Sequence, residues 1–209
     1  MPSVFIARHG ETTWNVTGRY QGRLESPLSP LGIAQAHRLA DALAAYPLTR
    51  IISSPLGRCV ASAEPVAQRF GLPIERDPLL IEIAHGTWEG RYRDELAVND
   101  PERYRQWRQE PEIVSFEHGE SIRDVLDRWR RFVAGFEVKG DTLLVTHDAV
   151  VRVALVERLG RPLSAFWRSR VLNGAFAWFQ VTRDHWELVE ECVSAHLSGL
   201  VADPSTQAL

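Results

Sequence analysis

The hydrophobic positions of the 209-residue chain switch repeatedly between short continuous runs and a spacing of three to four residues. Short apolar runs predict buried strands, and the wider spacing predicts amphipathic helices. The predicted strands are 4–7, 50–53, 73–77, 141–146, 176–181 and 186–193. The predicted helices are 29–44, 57–70, 93–98, 101–109, 120–133 and 148–159, with an irregular stretch at 79–91.

The alternation of strands and helices predicts an α/β fold with three layers, in which a mostly parallel mixed sheet lies between helices and ends in an antiparallel pair. We expect one domain over residues 1–209, with the small polar residues 203–209 as a flexible tail. Pro65 interrupts the pattern of the helix at 57–70. The segment 176–181 is a candidate edge strand, at which a second copy of the chain would pair in a homodimer.

Composition narrows the class of protein. The net charge is −3, and no basic stripe accompanies the tryptophans, so neither nucleic acid nor a membrane surface is an expected partner. Cys59 and Cys192 are far apart and form no CxxC, which argues against a disulfide framework and suits a reducing compartment. The first apolar run is four residues long and ends at Arg8, too short for a signal peptide. We expect a soluble cytoplasmic protein.

Histidines and arginines follow several of the predicted strands directly. Arg8 and His9 come after the first strand, Arg58 follows the strand at 50–53, and His147 follows the strand at 141–146. Ligands of open α/β sheets bind at the carboxyl edge of the strands, where these side chains would meet. Two arginines and two histidines at one edge predict a pocket for a phosphate dianion, and Asn15 adds an uncharged donor.

Such a pocket supports phosphoryl transfer through an imidazole. One histidine attacks phosphorus to form a phosphohistidine, and the surrounding donors stabilise charge on the phosphoryl oxygens. The leaving alkoxide needs a proton, for which Glu82 is the candidate and Glu89 its competitor. The pair His147-Asp148 would also fit a metal-dependent phosphohydrolase, but suitably placed further ligands are lacking in the sequence.

The chain resembles the histidine phosphatase superfamily, also called the phosphoglycerate mutase-like family, over nearly its whole length. The matching segments are Arg8-His9-Gly10-Glu11-Thr12 with Trp14-Asn15, Gln21-Gly22 with Pro27-Leu28-Ser29 and Gly32, Ser53-Ser54-Pro55 with Arg58, Glu82 with Gly86-Trp88-Glu89-Gly90, and Thr146-His147 with Arg152. The resemblance implies a phosphoglycerate mutase-like fold and a phosphatase without metal or other cofactor.

The same resemblance assigns roles to single residues. It implies that His9 is the nucleophile, that Arg8, Arg58 and His147 bind phosphate, and that Glu82 donates the proton. Asn15, Gln21 and Gly22 are implied substrate contacts. One position departs from the family, which commonly has a small residue where this chain has Asp148. We expect that carboxylate to cap the following helix, the alternatives being that it turns away or meets a cationic part of the substrate.

The substrate is predicted to be a small phosphate ester. The compact stretch between Arg91 and Glu120 favours a phosphatase over a phosphoglycerate mutase, which stays an alternative. The chain is similar to bacterial metal-independent phosphoserine phosphatases at Glu82–Gly86, Trp107, Gly119–Ser121 and Ala195–Leu197. This implies L-phosphoserine as the lead substrate, with His85 and His196 facing it. Alpha-ribazole phosphate, a sugar phosphate, or phosphate recognition without turnover remain open.

Overall fold

Six strands form one mixed sheet in the order β3-β2-β4-β1-β5-β6 in the computed structural model, which describes residues 1–182, 185–201 and 207–208. The strands are β1 (Ser3–Arg8), β2 (Leu48–Ser53), β3 (Ile74–Arg76), β4 (Asp141–Thr146), β5 (Phe176–Val181) and β6 (Trp186–Val193). The helices are α1 (Thr13–Val16), α2 (Pro30–Leu43), α3 (Gly57–Phe70), α4 (Arg93–Asn99), α5 (Pro101–Gln109), α6 (Ile122–Gly135) and α7 (Asp148–Arg158).

The first four strands of that order are parallel. β1 pairs with β4 so that Arg8 lies opposite Thr146, and β2 pairs with β4 so that Ser53 lies opposite Val145. β5 runs antiparallel to β1, and β6 antiparallel to β5. The carboxyl ends of β1, β2 and β4 therefore meet at one edge of the sheet.

Apolar side chains on the two faces of the sheet belong to two separate cores. Phe5 and Ala7 of β1 pack on one face with residues of α2 and α3. Val4 and Ile6 alternate with them and pack on the other face with residues of α6 and α7. The predicted three-layer α/β/α arrangement with a mostly parallel sheet is confirmed.

Close backbone contact holds the start of α2 against the loop after β1. The helix begins with the Ser29 side chain accepting a hydrogen bond from the Gly32 amide, at 3.0 Å, and with Pro30 in its first turn. A Cβ on Gly10 would lie 2.4 Å from the Gly32 carbonyl oxygen. Two glycines are therefore needed where α2 packs on the residue that follows His9.

The predicted helix at 57–70 is confirmed as α3, which continues through Pro65 without a break. Two features differ from the sequence expectations. The segment 176–181 is not an edge strand, because β5 has a paired neighbour on each side, and β6 lies at that edge instead. Within the expected tail, Gln207 and Ala208 are buried, since the Gln207 side chain bonds to Arg8 and Asn173. Residues 203–206 and 209 lie outside the described residues.

None of the helices in residues 1–182, 185–201 and 207–208 combines enough length with enough apolar character to cross a membrane.

Candidate active site

His9 and His147 lie side by side at the carboxyl edge of the sheet. The His9 amide donates to the Thr146 carbonyl at 3.0 Å, which continues the pairing of β1 and β4 by one residue. The two imidazole rings are 5.2 Å apart between centroids and nearly edge to face, at 67°. Two histidines that are distant in sequence thus share one site, as the sequence predicts.

The His9 ring is oriented for attack through one particular nitrogen. Its Nδ1 lies 2.7 Å from the Gly10 carbonyl oxygen, which can only accept, so Nδ1 carries the proton and Nε2 holds the free lone pair. Burial, and then the charges of Arg58 and Arg8, hold the His9 pKa well below its usual value. The imidazole is therefore neutral, as a nucleophile must be.

His147 is fixed by Ser54 in the loop after β2. Its Nε2 lies 2.7 Å from the Ser54 hydroxyl oxygen, and the Cys59 sulfur lies 3.3 Å from the same nitrogen. Burial, followed by the charge of Arg58, lowers the His147 pKa well below its ordinary value. A serine hydroxyl both donates and accepts hydrogen bonds, so this contact suits either neutral tautomer of His147.

Arg58 is anchored by its two terminal nitrogens to backbone carbonyls. These nitrogens donate to Leu24 at 2.9 Å and to Gly22 at 2.7 Å. Its Nε–H is buried without a hydrogen-bond partner among the described residues. A buried charged donor left without a partner is costly, so its presence indicates a site that receives an anion.

Arg8 follows the same pattern. One terminal nitrogen donates to the Gln207 side-chain oxygen at 2.8 Å, and the other lies 3.3 Å from both the Val171 carbonyl oxygen and the Asp148 carboxylate. Its Nε–H, too, is buried and has no acceptor within the ranges that the structure describes. Arg8 and Arg58, each with an unpartnered buried Nε–H, thus both line the cavity that contains His9.

Two amide side chains and a glycine complete the wall of this cavity. Asn15 lies in α1, and Gln21 and Gly22 lie in the loop that follows it. The Thr12 hydroxyl lies 3.0 Å from the side-chain oxygens of both Asn15 and Gln21. Binding of these oxygens leaves the amide NH₂ groups as the parts that can donate to a ligand. Gly22 has a positive φ of +52°, which favours glycine, and a Cβ there would also displace the Glu89 carboxylate, which would lie 2.1 Å away.

Glu82 lies on the loop that follows the turn Pro78–Leu80 and lines the cavity. One of its oxygens accepts a hydrogen bond from the Ile83 amide at 2.9 Å. Burial first, and the Asp148 carboxylate second, raise the pKa of Glu82 to about 7. It is a carboxylic acid that can give up and take back a proton near neutral pH. Its competitor Glu89 instead accepts from the backbone amides of His85 and Arg23 and is not among the lining residues.

His85 lines the same cavity from an aromatic cluster. Its ring makes edge contacts with Tyr20, Trp107 and Phe116, at 4.8–5.8 Å between centroids. The side chain is buried, and neither ring nitrogen has a hydrogen-bond partner in the described part of the chain. Burial and the charge of Arg58 lower the His85 pKa to about 3, so the ring is neutral. A neutral imidazole offers one N–H donor and one acceptor.

The structure places His196 elsewhere. It is the middle residue of the turn Ala195–Leu197, where its Nε2 lies 2.9 Å from the Gly174 carbonyl oxygen and its ring stacks on Phe176. It is not among the residues that line the cavity. Gly174 donates its amide to the Arg8 carbonyl, so His196 supports the end of β1 from behind in this arrangement.

Asp148 differs from the sequence expectation as well. His147 is the N-cap of α7 and Asp148 is its first residue, so the carboxylate does not cap the helix. Instead it forms ion pairs with Arg152, one turn further along α7, and with Arg8. Sequence reasoning missed this network, although the spacing of four residues between an acid and an arginine on a predicted helix was a signal for the first pair.

Several other lining residues were not anticipated as site residues. They are Ile83, Trp107, Ala149, Phe166, Trp167 and Ala208. Trp107 is buried and Trp167 partly buried in the core, and both also line the cavity. Among residues 1–182, 185–201 and 207–208, no group of three or more histidine, cysteine or acidic side chains is arranged to hold a metal ion.

Comparison with known proteins agrees with this geometry. The profile of the histidine phosphatase superfamily (branch 1) matches residues 4–193. Phosphoserine phosphatase 1 of Hydrogenobacter thermophilus is 32% identical over 200 residues, which cover 94% of this chain and 95% of that protein. A probable phosphoglycerate mutase, GpmB of Yersinia pestis, is 33% identical over 193 residues, 89% of this chain and 88% of that protein.

Solved structures show the same fold. YhfR of Bacillus stearothermophilus superposes with a TM-score of 0.88 at 32% identity, covering 93% of this chain and 98% of that one. A putative alpha-ribazole-5'-P phosphatase of Escherichia coli superposes with a TM-score of 0.83 at 28% identity, covering 93% and 97%. The named activities of these proteins share a phosphate ester and differ in the group attached to it.

Proposed function

The chain belongs to the histidine phosphatase superfamily and is a phosphatase, and we propose that it hydrolyses L-phosphoserine through a phosphohistidine at His9. The similarity to phosphoserine phosphatase 1 of Hydrogenobacter thermophilus supports this substrate. So does the position of His85 beside the candidate phosphate site. The proposal has two parts, the reaction at phosphorus and the recognition of the serine moiety.

In the proposed reaction the His9 Nε2 lone pair attacks phosphorus. The bond from phosphorus to the serine oxygen breaks as the nitrogen–phosphorus bond forms, and the protonated Glu82 gives its proton to the leaving oxygen. Arg8 and Arg58 offer their unpartnered Nε–H groups to the phosphoryl oxygens, where negative charge concentrates in the transition state.

The second half of the reaction uses the same carboxyl group as a base. Glu82 is now a carboxylate, and it removes a proton from water as that water attacks the phosphohistidine. The nitrogen–phosphorus bond breaks, His9 recovers its lone pair, and inorganic phosphate leaves. A carboxyl group with a pKa of about 7 is suited to both directions of proton transfer.

Recognition of the serine moiety rests on one observation, the buried His85 ring with two unpartnered nitrogens. Because this imidazole is neutral, it would bind the substrate carboxylate by donating an N–H, not as a cation. An ester without a carboxylate would leave that donor buried and unsatisfied, which disfavours its binding.

The experiment is a steady-state comparison of L-phosphoserine, 3-phosphoglycerate, alpha-ribazole phosphate, a sugar phosphate and p-nitrophenyl phosphate with a chelator present. We expect the highest kcat/KM for L-phosphoserine. We expect His85→Phe, which keeps the aromatic packing, to raise the KM for L-phosphoserine about tenfold or more and to change that for p-nitrophenyl phosphate little. Equal effects on both esters would contradict the role of His85.

The alternative activities give different results in the same assay. A phosphoglycerate mutase would isomerise 3-phosphoglycerate faster than it releases inorganic phosphate. A phosphatase for another ester would show a higher kcat/KM for alpha-ribazole phosphate or a sugar phosphate. A protein that recognises phosphate without turnover would release none from any of these esters, however long the incubation.

A further inference from the structure

Asp148 places a carboxylate inside a cavity that otherwise suits an anion. It is the first residue of α7, directly after His147, and it lines the cavity together with Arg8 and Glu82. Its side chain is buried, and one carboxylate oxygen lies 3.3 Å from a terminal nitrogen of Arg8. A buried carboxylate next to a phosphate site repels the ligand unless its charge is balanced.

Arg152 supplies that balance from the far side. Its Nε and one terminal nitrogen donate to the two Asp148 oxygens, at 2.5 and 3.3 Å. The other terminal nitrogen donates to the Ser169 carbonyl at 2.6 Å, and the guanidinium lies 4.8 Å over the Trp167 ring. These contacts fix Arg152, and through it the carboxylate, in one position.

We propose that Asp148 is a positioning residue for the reaction: it holds one terminal nitrogen of Arg8, which leaves the Arg8 Nε–H for the phosphate, and its negative charge acts on Glu82 within the cavity that both residues line. The first part follows from the pairing, because a guanidinium fixed at its terminal nitrogens can turn only its Nε edge toward the cavity. This inference rests on the proposed roles of Arg8 and Glu82.

The second part follows from the charges that surround Glu82. Those that face it are Arg8 from β1, Arg58 from α3, Arg128 from α6 and Asp148 from α7, with the buried thiol of Cys59 also near. Arg58 and Arg128 favour the Glu82 carboxylate, whereas Asp148 disfavours it. After burial, Asp148 is the largest influence that raises the Glu82 pKa.

A simpler explanation is that Asp148 only stabilises α7, since an acidic residue in the first turn interacts favourably with the helix dipole. The two explanations differ in what the removal of the charge changes. Loss of a helix contact lowers the melting temperature and leaves the pH dependence of the reaction in place. Loss of the second carboxylate lets Glu82 ionise at lower pH.

The experiment measures kcat/KM for L-phosphoserine and p-nitrophenyl phosphate against pH in the wild type, Asp148→Asn and Asp148→Gly. The glycine variant has the small residue that the family commonly carries there, so it tests the same point if the asparagine variant folds poorly. Glu191→Gln is the matched control, because it removes a carboxylate paired with Arg161 outside the cavity.

For L-phosphoserine, kcat/KM falls at high pH as Glu82 ionises, and we call this fall the alkaline limb. For both Asp148 variants we expect the alkaline limb to move to lower pH by about half a unit or more. We also expect the plateau value to fall about tenfold on both esters, because Arg8 loses its fixed orientation. Glu191→Gln should change neither. A lower melting temperature with an unmoved limb and an unchanged plateau would overturn the inference.

Glu82→Gln separates this inference from the proposed function. If that variant keeps the alkaline limb, the proposed role of Glu82 is wrong, and the effect of Asp148 on it is wrong with it. If Glu82→Gln removes the limb while the Asp148 variants leave it in place, the proposed function stands and only the inference about Asp148 fails.

Discussion

The rings of His9 and His147 lie 5.2 Å apart at the ends of two neighbouring parallel strands. The register of β1 on β4 enforces this pairing, because Arg8 lies opposite Thr146 and each histidine is the next residue. The sheet itself therefore brings the two imidazoles together, without a flexible loop, although only His9 of the two lines the cavity.

Replacing His9 by alanine should abolish turnover. We expect kcat for p-nitrophenyl phosphate to fall by about 10³ or more, the scale seen when an enzyme loses its nucleophile. His147→Ala should cost about 10²–10³, because it removes a donor to the transition state. Initial rates measure both, and acid-labile labelling by a ³²P ester should be lost in His9→Ala.

His37→Ala is the matched control, because His37 is exposed on α2. It should keep full activity and full labelling. Retention of full activity by His9→Ala would rule out the phosphohistidine.

The raised pKa of Glu82 should appear in the kinetics. A serine alkoxide is a poor leaving group and needs the proton, whereas a nitrophenolate leaves as a stabilised anion. Glu82→Gln should therefore reduce kcat for L-phosphoserine by about 10²–10³ and that for p-nitrophenyl phosphate by much less. In the wild type, kcat/KM for L-phosphoserine should fall as the pH rises through about 7. A similar loss on both esters would contradict the role of Glu82 as proton donor.

The same group should make folding stability depend on pH. The Glu82 pKa is raised from 4.5 to about 7, so between these values the folded state binds a proton that the unfolded state has lost. Its contribution is fully present below pH 4.5 and is lost as the pH rises through 7. The loss amounts to about 3 kcal/mol.

Urea titrations from pH 5 to pH 8 measure this dependence, with Glu82→Gln compared to the wild type. Relative to the wild type, the variant should gain stability as the pH rises. Parallel curves for the two proteins would show that Glu82 ionises normally in the folded state.

The sequence predicts the strands and long helices well because their signals are local. The apolar run before Arg8 and the helical spacing of 57–70 each identify an element without knowledge of the rest of the chain. The convergence of His9, Arg58 and His147 was predictable too, since parallel strands share one carboxyl edge. Chain topology alone brings these residues together.

Other contacts have no local signal. Glu82 lies on an irregular loop, where the sequence offered Glu89 as a competing proton donor and no periodicity indicated which of the two enters the site. The positions of His196 and Gln207 depend on how the last turns pack on the end of β1, which no periodicity encodes. The ion pair of Asp148 with Arg8 joins one residue at the end of β1 to another just after the end of β4. It depends on the directions in which the two side chains point, which the sequence pattern does not show.

Glu120 should control the position of the loop that carries Glu82. One of its oxygens accepts from the Ala84 amide at 3.1 Å, and the other lies 2.7 Å from Arg23 and 3.4 Å from Arg128. Glu120→Gln weakens both ion pairs while it keeps a similar shape. We expect kcat for L-phosphoserine to fall about tenfold and stability to fall by about 1–3 kcal/mol.

Steady-state rates and urea denaturation measure these effects. Glu117→Gln is the matched control, because Glu117 lies three residues before Glu120 in the loop that precedes α6 and its side chain is mostly exposed. It should leave both quantities unchanged. A stability loss without any change in rate would limit Glu120 to a structural role.

Gly71 should be required by its backbone conformation alone. It is the C-cap of α3 with φ +64°, and a Cβ there would meet nothing within 4 Å. Gly71→Ala should therefore destabilise the protein by about 1 kcal/mol through backbone strain, which lowers the melting temperature by about 2–4 °C in a domain of this size.

Gly135, the last residue of α6, also has open space around its Cβ position but no positive φ. Gly135→Ala should be neutral or stabilising, and calorimetry on the two variants compares them directly. Equal melting temperatures would contradict the strain, and an altered kcat in either variant would show that these helix ends influence the site.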